Sequence, residues 1–441
     1  MRLIRLLKKD LAMEASIWVD RQLISLDQAR AICRFYGVDY DAIRNRSTAY
    51  RVLVVLGFLF IGLSLITIIG ANWDAIPRGV RMAGLLVLTA GTHGLGMRMH
   101  LSGRTSSAVG LFFLGNLFYG ASIILVAQIY HLGEHMPDGV FLWAFGSLPF
   151  AVLLCNVWLT LFSGLLALLW LYLEFTTGFL APVFLAAAFP LFLAAEVYVL
   201  VRARASTLLF LTFVASLVLW FESLLSVVWM DERARPDFSA EHVCVGVALF
   251  LLAHAVSHWL HASESVKAKD YGAVLSLWTL RFALLSMLVL SFETPWAGLL
   301  RSDWSHEASM WIVVAVLAAT ALWIGSRRAK LPSLIALVVL CGVPMVAVVA
   351  TRAEHAAVYF QVLDNAALIA TGIWLIVRGT TSGTSHYYFL GVATILLTAF
   401  LRYVDLIGSY LDSAILFMGL AVLLLGAARY WKVRQSGEER Q

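Results

Sequence analysis

Residues 206–229, STLLFLTFVASLVLWFESLLSVVW, decide the fold, because this run carries a single charged side chain, that of Glu222. An α-helix needs only about 20 consecutive apolar residues to cross roughly 30 Å of hydrocarbon. Comparable runs recur along the 441 residues, of which 61% are hydrophobic and only 13% are charged. The composition therefore predicts an all-α, polytopic transmembrane helical bundle.

The hydropathy pattern predicts about 14 spans, most of them close to the roughly 20 residues that a crossing requires. The fourth and fifth predicted spans are short and joined by almost no loop, so an arrangement with about 12 spans stays open. The predicted spans lie at 52–71, 79–98, 106–129, 139–154, 156–173, 178–201, 206–229, 241–260, 272–292, 306–326, 332–350, 356–378, 384–401 and 411–430.

The basic residues of the loops predict how these spans are oriented. Cytoplasmic loops of membrane proteins carry an excess of Lys and Arg. This pattern places both termini in the cytoplasm, together with the loops around Arg202 and Arg327. We predict a cytoplasmic amphipathic helical module at 1–50, a transmembrane helical bundle at 51–431 and a cytoplasmic tail at 432–441.

The composition also indicates which kinds of partner and cofactor the protein is expected to have. The four cysteines lie in or beside predicted spans and in the N-terminal segment, and they form no disulfide framework. The formal net charge of +5 comes from basic residues spread over short loops, so we predict the lipid bilayer as a partner and no nucleic acid. The sequence contains no phosphate-binding loop, nucleophile elbow or Cys-x-x-Cys pair, and we predict no cofactor.

The N-terminal module is predicted to consist of short helices. Apolar residues recur at helical spacing from Ile4 to Arg21. Residues Ser25 to Gln28 form a capping box that opens a second helix, which ends at Gly37. A third short helix is predicted from about residue 39 onward. Such a module could bind a cytoplasmic protein, lie on anionic lipid headgroups or pack as a helical cap under the bundle.

Three stretches at the predicted outer ends of spans resemble a known family. They are ANWDAIPR at 71–78, GAS at 120–122 continuing to QIYHL at 128–132, and LRYVD at 401–405. With the N-terminal module, they resemble a bacterial predicted-membrane-protein family, domain of unknown function family twenty-one fifty-seven. The resemblance implies a bacterial inner-membrane protein of unassigned biochemistry and supplies no catalytic residues. The outer-face motif taken from these stretches comprises Asn72, Trp73, Asp74, Gln128, Tyr130, His131, Arg402 and Asp405.

Ionisable side chains within the predicted spans are the first candidates for a functional site, because they usually face a partner or an aqueous cavity. At ~1.5 Å per residue, Glu222, Asp364 and Arg281 lie roughly 10, 12 and 16 Å below the predicted outer surface. We therefore predict that Arg281 clusters with Asp364, Glu222 or both, either as an ion pair joining helices or as a substrate or proton pathway. Asn365 favours a polar cavity, whereas Glu196 is expected to reach the cytoplasmic interface.

Asn116 is a further candidate for that pathway. It lies close to one face of the third predicted span together with Gly120 and Ala127. Small residues at this spacing let helices approach closely, and an asparagine can hydrogen-bond across the contact. The two interpretations are helix packing and a polar lining for a pathway.

Two histidine patterns raise the question of a metal. Residues 127–139, AQIYHLGEHMPDG, contain the H-x-x-E-H spacing of inverzincin metalloproteases, but Pro137 and its glycine neighbours predict a loop in place of the continuous helix required. His254 and His258 share one helix face near a helix C-terminus, where histidines also suit the helix dipole. We predict no resident metal, and the histidines nearest to ligand spacing are His131, His135, His254 and His258.

Short loops leave little soluble surface for catalysis. The sequence therefore favours a transporter or translocase of an amphipathic or lipid-linked substrate over an enzyme. One alternative is a membrane enzyme acting on lipid-linked envelope precursors at the outer face, which requires Asp74 to converge with Asp405 or Arg402. A second alternative is a scaffold or sensor whose residues 1–50 bind a cytoplasmic partner.

Overall fold

The computed structural model describes residues 15–16, 18–35, 40, 76–130, 135–177, 182–229, 240–302, 304–327, 331–405 and 418. This part of the chain is built from helices and contains no β-strand. The long helices are rich in leucine, valine, alanine and phenylalanine, and the connections between them are short. The predicted all-α class is confirmed.

The helices are numbered in chain order. A 3₁₀ turn at Glu354–Ala356 precedes the thirteenth of them. Their ranges are α1 Leu26–Phe35, α2 Arg78–Leu101, α3 Thr105–Tyr130, α4 Met136–Leu153, α5 Val157–Thr177, α6 Pro182–Arg202, α7 Thr207–Val228, α8 Ala240–His261, α9 Val266–Leu290, α10 Glu293–Arg301, α11 Glu307–Ser326, α12 Leu331–Thr351, α13 Ala357–Ser382 and α14 Ser385–Asp405.

Nine helices in the described part of the chain are long and apolar enough to cross a membrane, namely α3, α4, α5, α7, α8, α9, α11, α12 and α13 with its 3₁₀ turn. Helices α2, α6 and α14 coincide with predicted spans and have 24, 21 and 21 residues, but they are not among the nine. The first and last predicted spans, 52–71 and 411–430, lie outside the described residues. The protein is an all-α, multi-pass membrane protein.

The fourth and fifth predicted spans form two separate helices. Helix α4 has 18 residues and α5 has 21, and both belong to the nine helices that are long and apolar enough to cross. They are joined by a tight turn in which Cys155 has a φ angle of +46°. Asn156 immediately precedes α5, and its side-chain oxygen accepts hydrogen bonds from the backbone N–H groups of Trp158 and Leu159. The short linker therefore reverses the chain between two complete helices.

The predicted capping box of the N-terminal module is present. The Ser25 N–H donates to Gln28 Oε1 at 2.8 Å, and the Gln28 N–H donates to Ser25 Oγ at 3.2 Å. These two bonds satisfy backbone donors that the first turn of a helix leaves unpaired. Helix α1 follows and ends at Phe35, two residues before the predicted stop, with Cys33 on its buried face. Most of the predicted first and third helices lies outside the described residues.

The chain divides into two compact units, unit 1 at Met1–Leu217 and unit 2 at Val218–Gln441. In unit 1, α2 packs on α3, and α4 packs on α5. In unit 2, α8 packs on α11 and α9, and α13 forms a hairpin with α14. The main apolar core of unit 2 gathers tryptophans from the connections at one end of its helices, including Trp229, Trp296 and Trp304. This end is called the predicted outer end of unit 2 below.

Candidate functional site

Arg281 lies on an exposed face of α9. Its guanidinium carbon is 5.2 Å from the centroid of the Trp278 ring, one turn earlier on the same helix. Within the part of the chain that the structure describes, no ion pair joins it to Asp364 or Glu222. Counting residues gave these groups similar depths, but depth along a helix does not fix the direction in which a side chain points.

Asp364 of α13 has a different cationic neighbour. It interacts electrostatically with Arg402 of α14, whose guanidinium carbon lies 5.0 Å from the centroid of the Phe292 ring. The neighbouring amide of Asn365 is used structurally, because it donates to the carbonyl oxygen of Ser291 at 3.0 Å. That carbonyl belongs to the C-cap of α9, where backbone oxygens have no partner within the helix. Asp364, Asn365 and Arg402 thus meet at the predicted outer end of unit 2.

Glu222 forms a buried pair with a histidine. His242 Nδ1 lies 2.7 Å from Glu222 Oε2, and the two residues are 6% and 7% exposed. Helix α7 supplies the carboxylate, and the first turn of α8 supplies the imidazole. The sequence singled out Glu222, whereas His242 drew no attention because a lone histidine beside a loop has no spacing pattern. The pair could hold or relay a proton.

A second acid lies beside this pair. Glu241 is 1% exposed, and its Oε1 atom accepts a hydrogen bond of 3.0 Å from the backbone N–H of His306. The indole of Trp229 stacks on the His306 ring at a centroid distance of 5.9 Å and contacts the His242 ring at 5.1 Å. The Trp229 indole therefore contacts two histidine rings, and each of these histidines bonds a buried acid of unit 2.

Glu196 is the most deeply buried acid of unit 1. It is 1% exposed, so the expectation that it reaches the interface near the end of α6 is wrong. Its carboxylate rests on Gly164 of α5, where any Cβ atom would clash with Glu196 Oε1. The Ser216 hydroxyl of α7 faces the carboxylate but does not reach standard hydrogen-bond geometry with either oxygen. The surrounding helices α5 and α7 cover this side chain, which sequence position alone does not reveal.

Asn116 of α3 makes contacts with both α2 and α4. It is fully buried, and its Oδ1 atom lies 3.2 Å from Nε2 of His93 on α2. Its backbone carbonyl accepts a hydrogen bond of 2.8 Å from the Trp143 indole of α4. One turn later, Gly120 packs directly against the same indole. Because this glycine has no side chain, helix α4 can approach α3 closely. This geometry supports the packing interpretation of Asn116, and its role in a pathway stays a prediction.

Helices α2, α3 and α4 lie within a segment that comparison with known families recognises. Residues 16–160 match the model of the predicted membrane protein family DUF2157. This match confirms the resemblance seen in the sequence, over the N-terminal part of the chain. No curated protein and no solved structure matches the chain.

The DUF2157 segment contains part of the outer-face motif. Gln128 and Tyr130 are exposed on the last turn of α3, whereas Asn72, Trp73, Asp74 and His131 lie outside the described residues. The same segment contains His135, the N-cap residue of α4. Together with Asp138 and Glu174, it forms the one group of three potential metal ligands found in the described part of the chain. The two remaining motif residues, Arg402 and Asp405, lie on the last turns of α14, outside this segment.

The other histidine pair bonds internally. His254 Nε2 and His258 Nε2 are 3.2 Å apart, with the rings edge to face at 4.7 Å. His261 continues the same face, and its Nδ1 atom lies 3.3 Å from the Ser257 carbonyl oxygen. No carboxylate or cysteine completes a three-ligand group with these histidines among the described residues. Their arrangement supports a structural hydrogen-bond pair at the end of α8.

Proposed function

We propose that this protein is a proton- or cation-coupled transporter of an amphipathic molecule, and that Glu196 binds the coupling ion. A bacterial inner membrane with both termini in the cytoplasm is part of the proposal. It rests on the basic residues of the loops and on the family resemblance.

The burial of Glu196 carries the proposal. Moving an isolated carboxylate into an apolar interior costs far more than folding can offset, so buried charges are paired, neutralised or bound to ions. No described side chain supplies a cation to this carboxyl group, and the neutral hydroxyl of Ser216 is the polar group that faces it. The Glu196 carboxyl group is therefore stable at this buried position when it carries a proton or binds a cation. Exchange of that ion between the two sides of the membrane is the elementary step of coupled transport.

The residues around Glu196 are compatible with a carboxyl group that exchanges a bound proton or cation. Gly164 gives the carboxylate room on α5, and Thr212 and Ser216 place hydroxyl-bearing residues on α7 beside it. Hydroxyl oxygens can accept a hydrogen bond from a protonated carboxyl group or coordinate a cation. A merely structural role would more readily be served by an apolar side chain of similar volume.

A cleft in unit 2 supports the amphipathic substrate class. The cleft is a shallow, open depression of about 590 Å³. Its polar wall is the ion pair of Arg352 with Glu307, and its apolar wall includes the Trp311 indole and Val349. An apolar wall beside a fixed ion pair matches a molecule that has a hydrocarbon body and a charged or zwitterionic head.

The first test concerns the ion and does not require the substrate. Infrared difference spectra of the purified protein, recorded while the pH is stepped, detect the carbonyl stretch of a protonated carboxyl group. We expect one such band to disappear in Glu196→Gln and to persist in Glu264→Gln, which alters an exposed acid. A wild-type spectrum that lacks a band sensitive to Glu196→Gln, in light and in heavy water and in buffer free of small metal cations, contradicts the proposal.

The second test concerns transport. Proteoliposomes that contain a fluorescent phospholipid as the amphipathic probe are given an inward or outward proton gradient. We expect the gradient to change the rate of probe translocation in the wild type and in Glu264→Gln, but not in Glu196→Gln. Translocation that ignores the gradient in all three proteins contradicts coupling, and its complete absence contradicts this substrate class.

A further inference from the structure

Helices α4 and α5 bring an imidazole and two carboxylates together at one end of unit 1. His135 is the N-cap of α4, and Asp138 lies in its first turn, three residues later. Glu174 lies in the last turn of the antiparallel helix α5. His135 Nδ1 is 3.0 Å from Asp138 Oδ1, and His135 Nε2 is 3.5 Å from Glu174 Oε2. The start of one helix and the end of its neighbour thus form one cluster.

The carboxylate of Glu174 is held in a fixed orientation. The residue is 6% exposed, and its Oε1 atom accepts a hydrogen bond of 3.0 Å from the indole N–H of Trp170, which is 1% exposed. The Trp170 ring is itself packed at 4.9 Å from the Phe141 ring of α4. The other oxygen, Oε2, accepts no hydrogen bond within the described residues. An anchored carboxylate with one oxygen available is the arrangement that outer-shell hydrogen bonds give to metal ligands.

We infer that His135, Asp138 and Glu174 bind a divalent transition-metal ion. One ring nitrogen and one oxygen of each carboxylate already lie within 4.8 Å of one another. Ligand atoms that share an ion tetrahedrally at about 2.1 Å lie roughly 3.4 Å apart, so the widest pair has to close by about 1.4 Å. The Asp138 side chain is 70% exposed and can rotate towards the ion without disturbing the core.

The ligand set indicates the class of metal. One imidazole and two carboxylates suit Zn²⁺ or Mn²⁺, which accept mixed nitrogen and oxygen ligands. Two carboxylates neutralise the two charges of the ion, which favours binding next to an apolar bundle. Three protein ligands leave at least one coordination position for water or for an anionic group of another molecule. This inference is independent of the proposed transport function, because it involves neither Glu196 nor the cleft of unit 2.

Zinc binding to the whole protein tests the inference. Untagged, detergent-purified protein is stripped with a chelator and dialysed against Zn²⁺, and the bound metal is measured by mass spectrometry and calorimetry. We expect one tightly bound Zn²⁺ per chain, lost in Glu174→Gln, His135→Ala and Asp138→Asn. Trp170→Phe keeps all three ligands but removes the orienting donor together with part of a buried ring, so we expect it to weaken binding roughly tenfold. His258→Ala and the exposed Glu264→Gln are the controls and should bind as the wild type does.

The result also has to identify the ligands. X-ray absorption of the zinc-loaded protein should show one imidazole nitrogen and otherwise oxygen around the ion. Asp138→Asn alters an exposed side chain and is expected to fold normally, which size-exclusion chromatography checks. Substoichiometric zinc, or stoichiometric zinc that survives Asp138→Asn and Trp170→Phe unchanged, overturns the inference. The cluster would then be an ion pair joining α4 to α5.

Discussion

The imidazole of His242 lies 2.7 Å from the carboxylate of Glu222, and both side chains are buried where α7 and α8 meet in unit 2. This contact replaces the ion pair with Arg281 that residue depths had suggested. The start of α8 therefore carries a buried acid–histidine pair next to the buried Glu241.

Glu222→Leu should destabilise the protein strongly. The change takes the carboxylate partner from a buried imidazole, and breaking a buried pair in this way costs about 3–5 kcal/mol. The measurement is the fraction of sodium dodecyl sulfate at which the protein unfolds in mixed micelles. The exposed Glu264→Leu serves as the control and should shift unfolding by less than about 0.5 kcal/mol. Unfolding of Glu222→Leu at the wild-type midpoint would show that the pair contributes nothing.

Adding one methyl group at Gly391 should destabilise the hairpin of α13 and α14. A Cβ atom on Gly391 would lie 2.5 Å from the Gly372 carbonyl oxygen and 2.9 Å from the backbone nitrogen of Ile376. Backbone atoms cannot move aside cheaply, so Gly391→Ala is expected to cost about 1–3 kcal/mol. Gly342→Ala is the matched control, because a Cβ atom there meets nothing within 4 Å. If both variants unfold alike, this close packing does not hold in solution.

The sequence was sufficient to predict the helices but not their mutual arrangement. The spans follow from hydropathy, and the capping box at Ser25 follows from local spacing, because both depend on residues close together in the chain. The partners of Asp364 and Glu222 could not be predicted, since they depend on which faces of different helices meet. A single sequence gives the height of a residue in a span and says little about its neighbours.

For the candidate sites too, the sequence did not show which residues of different helices meet. The sequence drew attention to His135 through a metalloprotease spacing, whereas the structure surrounds it with Asp138 and Glu174. Glu174 is 39 residues away along the chain, so no local motif contains it. Glu196 was assigned to the interface because it lies close to the end of α6. The glycine at position 164, which makes room for its carboxylate, is recognisable only once α5 and α6 are packed.

Ser25→Ala should loosen helix α1. Loss of an N-cap hydroxyl typically costs about 0.5–2 kcal/mol, because a backbone N–H of the first turn then has no acceptor. Hydrogen exchange of residues 26–35 in the full-length protein measures the effect and should become faster in this variant. Ser25→Thr retains the hydroxyl and should exchange as slowly as the wild type. Equal exchange in all three proteins would mean that the capping box does not stabilise the helix.

The Cys33 thiol should react slowly and in a pH-dependent way. Burial on α1 raises the pKa of this thiol, so less of the reactive thiolate is present near neutral pH than for an ordinary cysteine. A protein retaining only Cys33 should be labelled by a soluble maleimide slowly at neutral pH and faster as the pH rises. A control with Cys33→Ser and Ala31→Cys places the thiol on the exposed face of the same helix and should react rapidly. Equal rates for the two thiols would show that the buried face of α1 is open.

The orientation of the bundle can be decided with two matched serines. Ser305, between α10 and α11, lies at the predicted outer end, and Ser385 begins α14 in a connection predicted to be cytoplasmic. Both serines are exposed, and the native cysteines are replaced by serine in each variant. An impermeant maleimide should label Ser305→Cys in intact spheroplasts and Ser385→Cys only after lysis, because the basic residue Arg378 keeps its connection inside. The reverse pattern would invert every loop assignment and move the Glu307–Arg352 cleft to the cytoplasmic side.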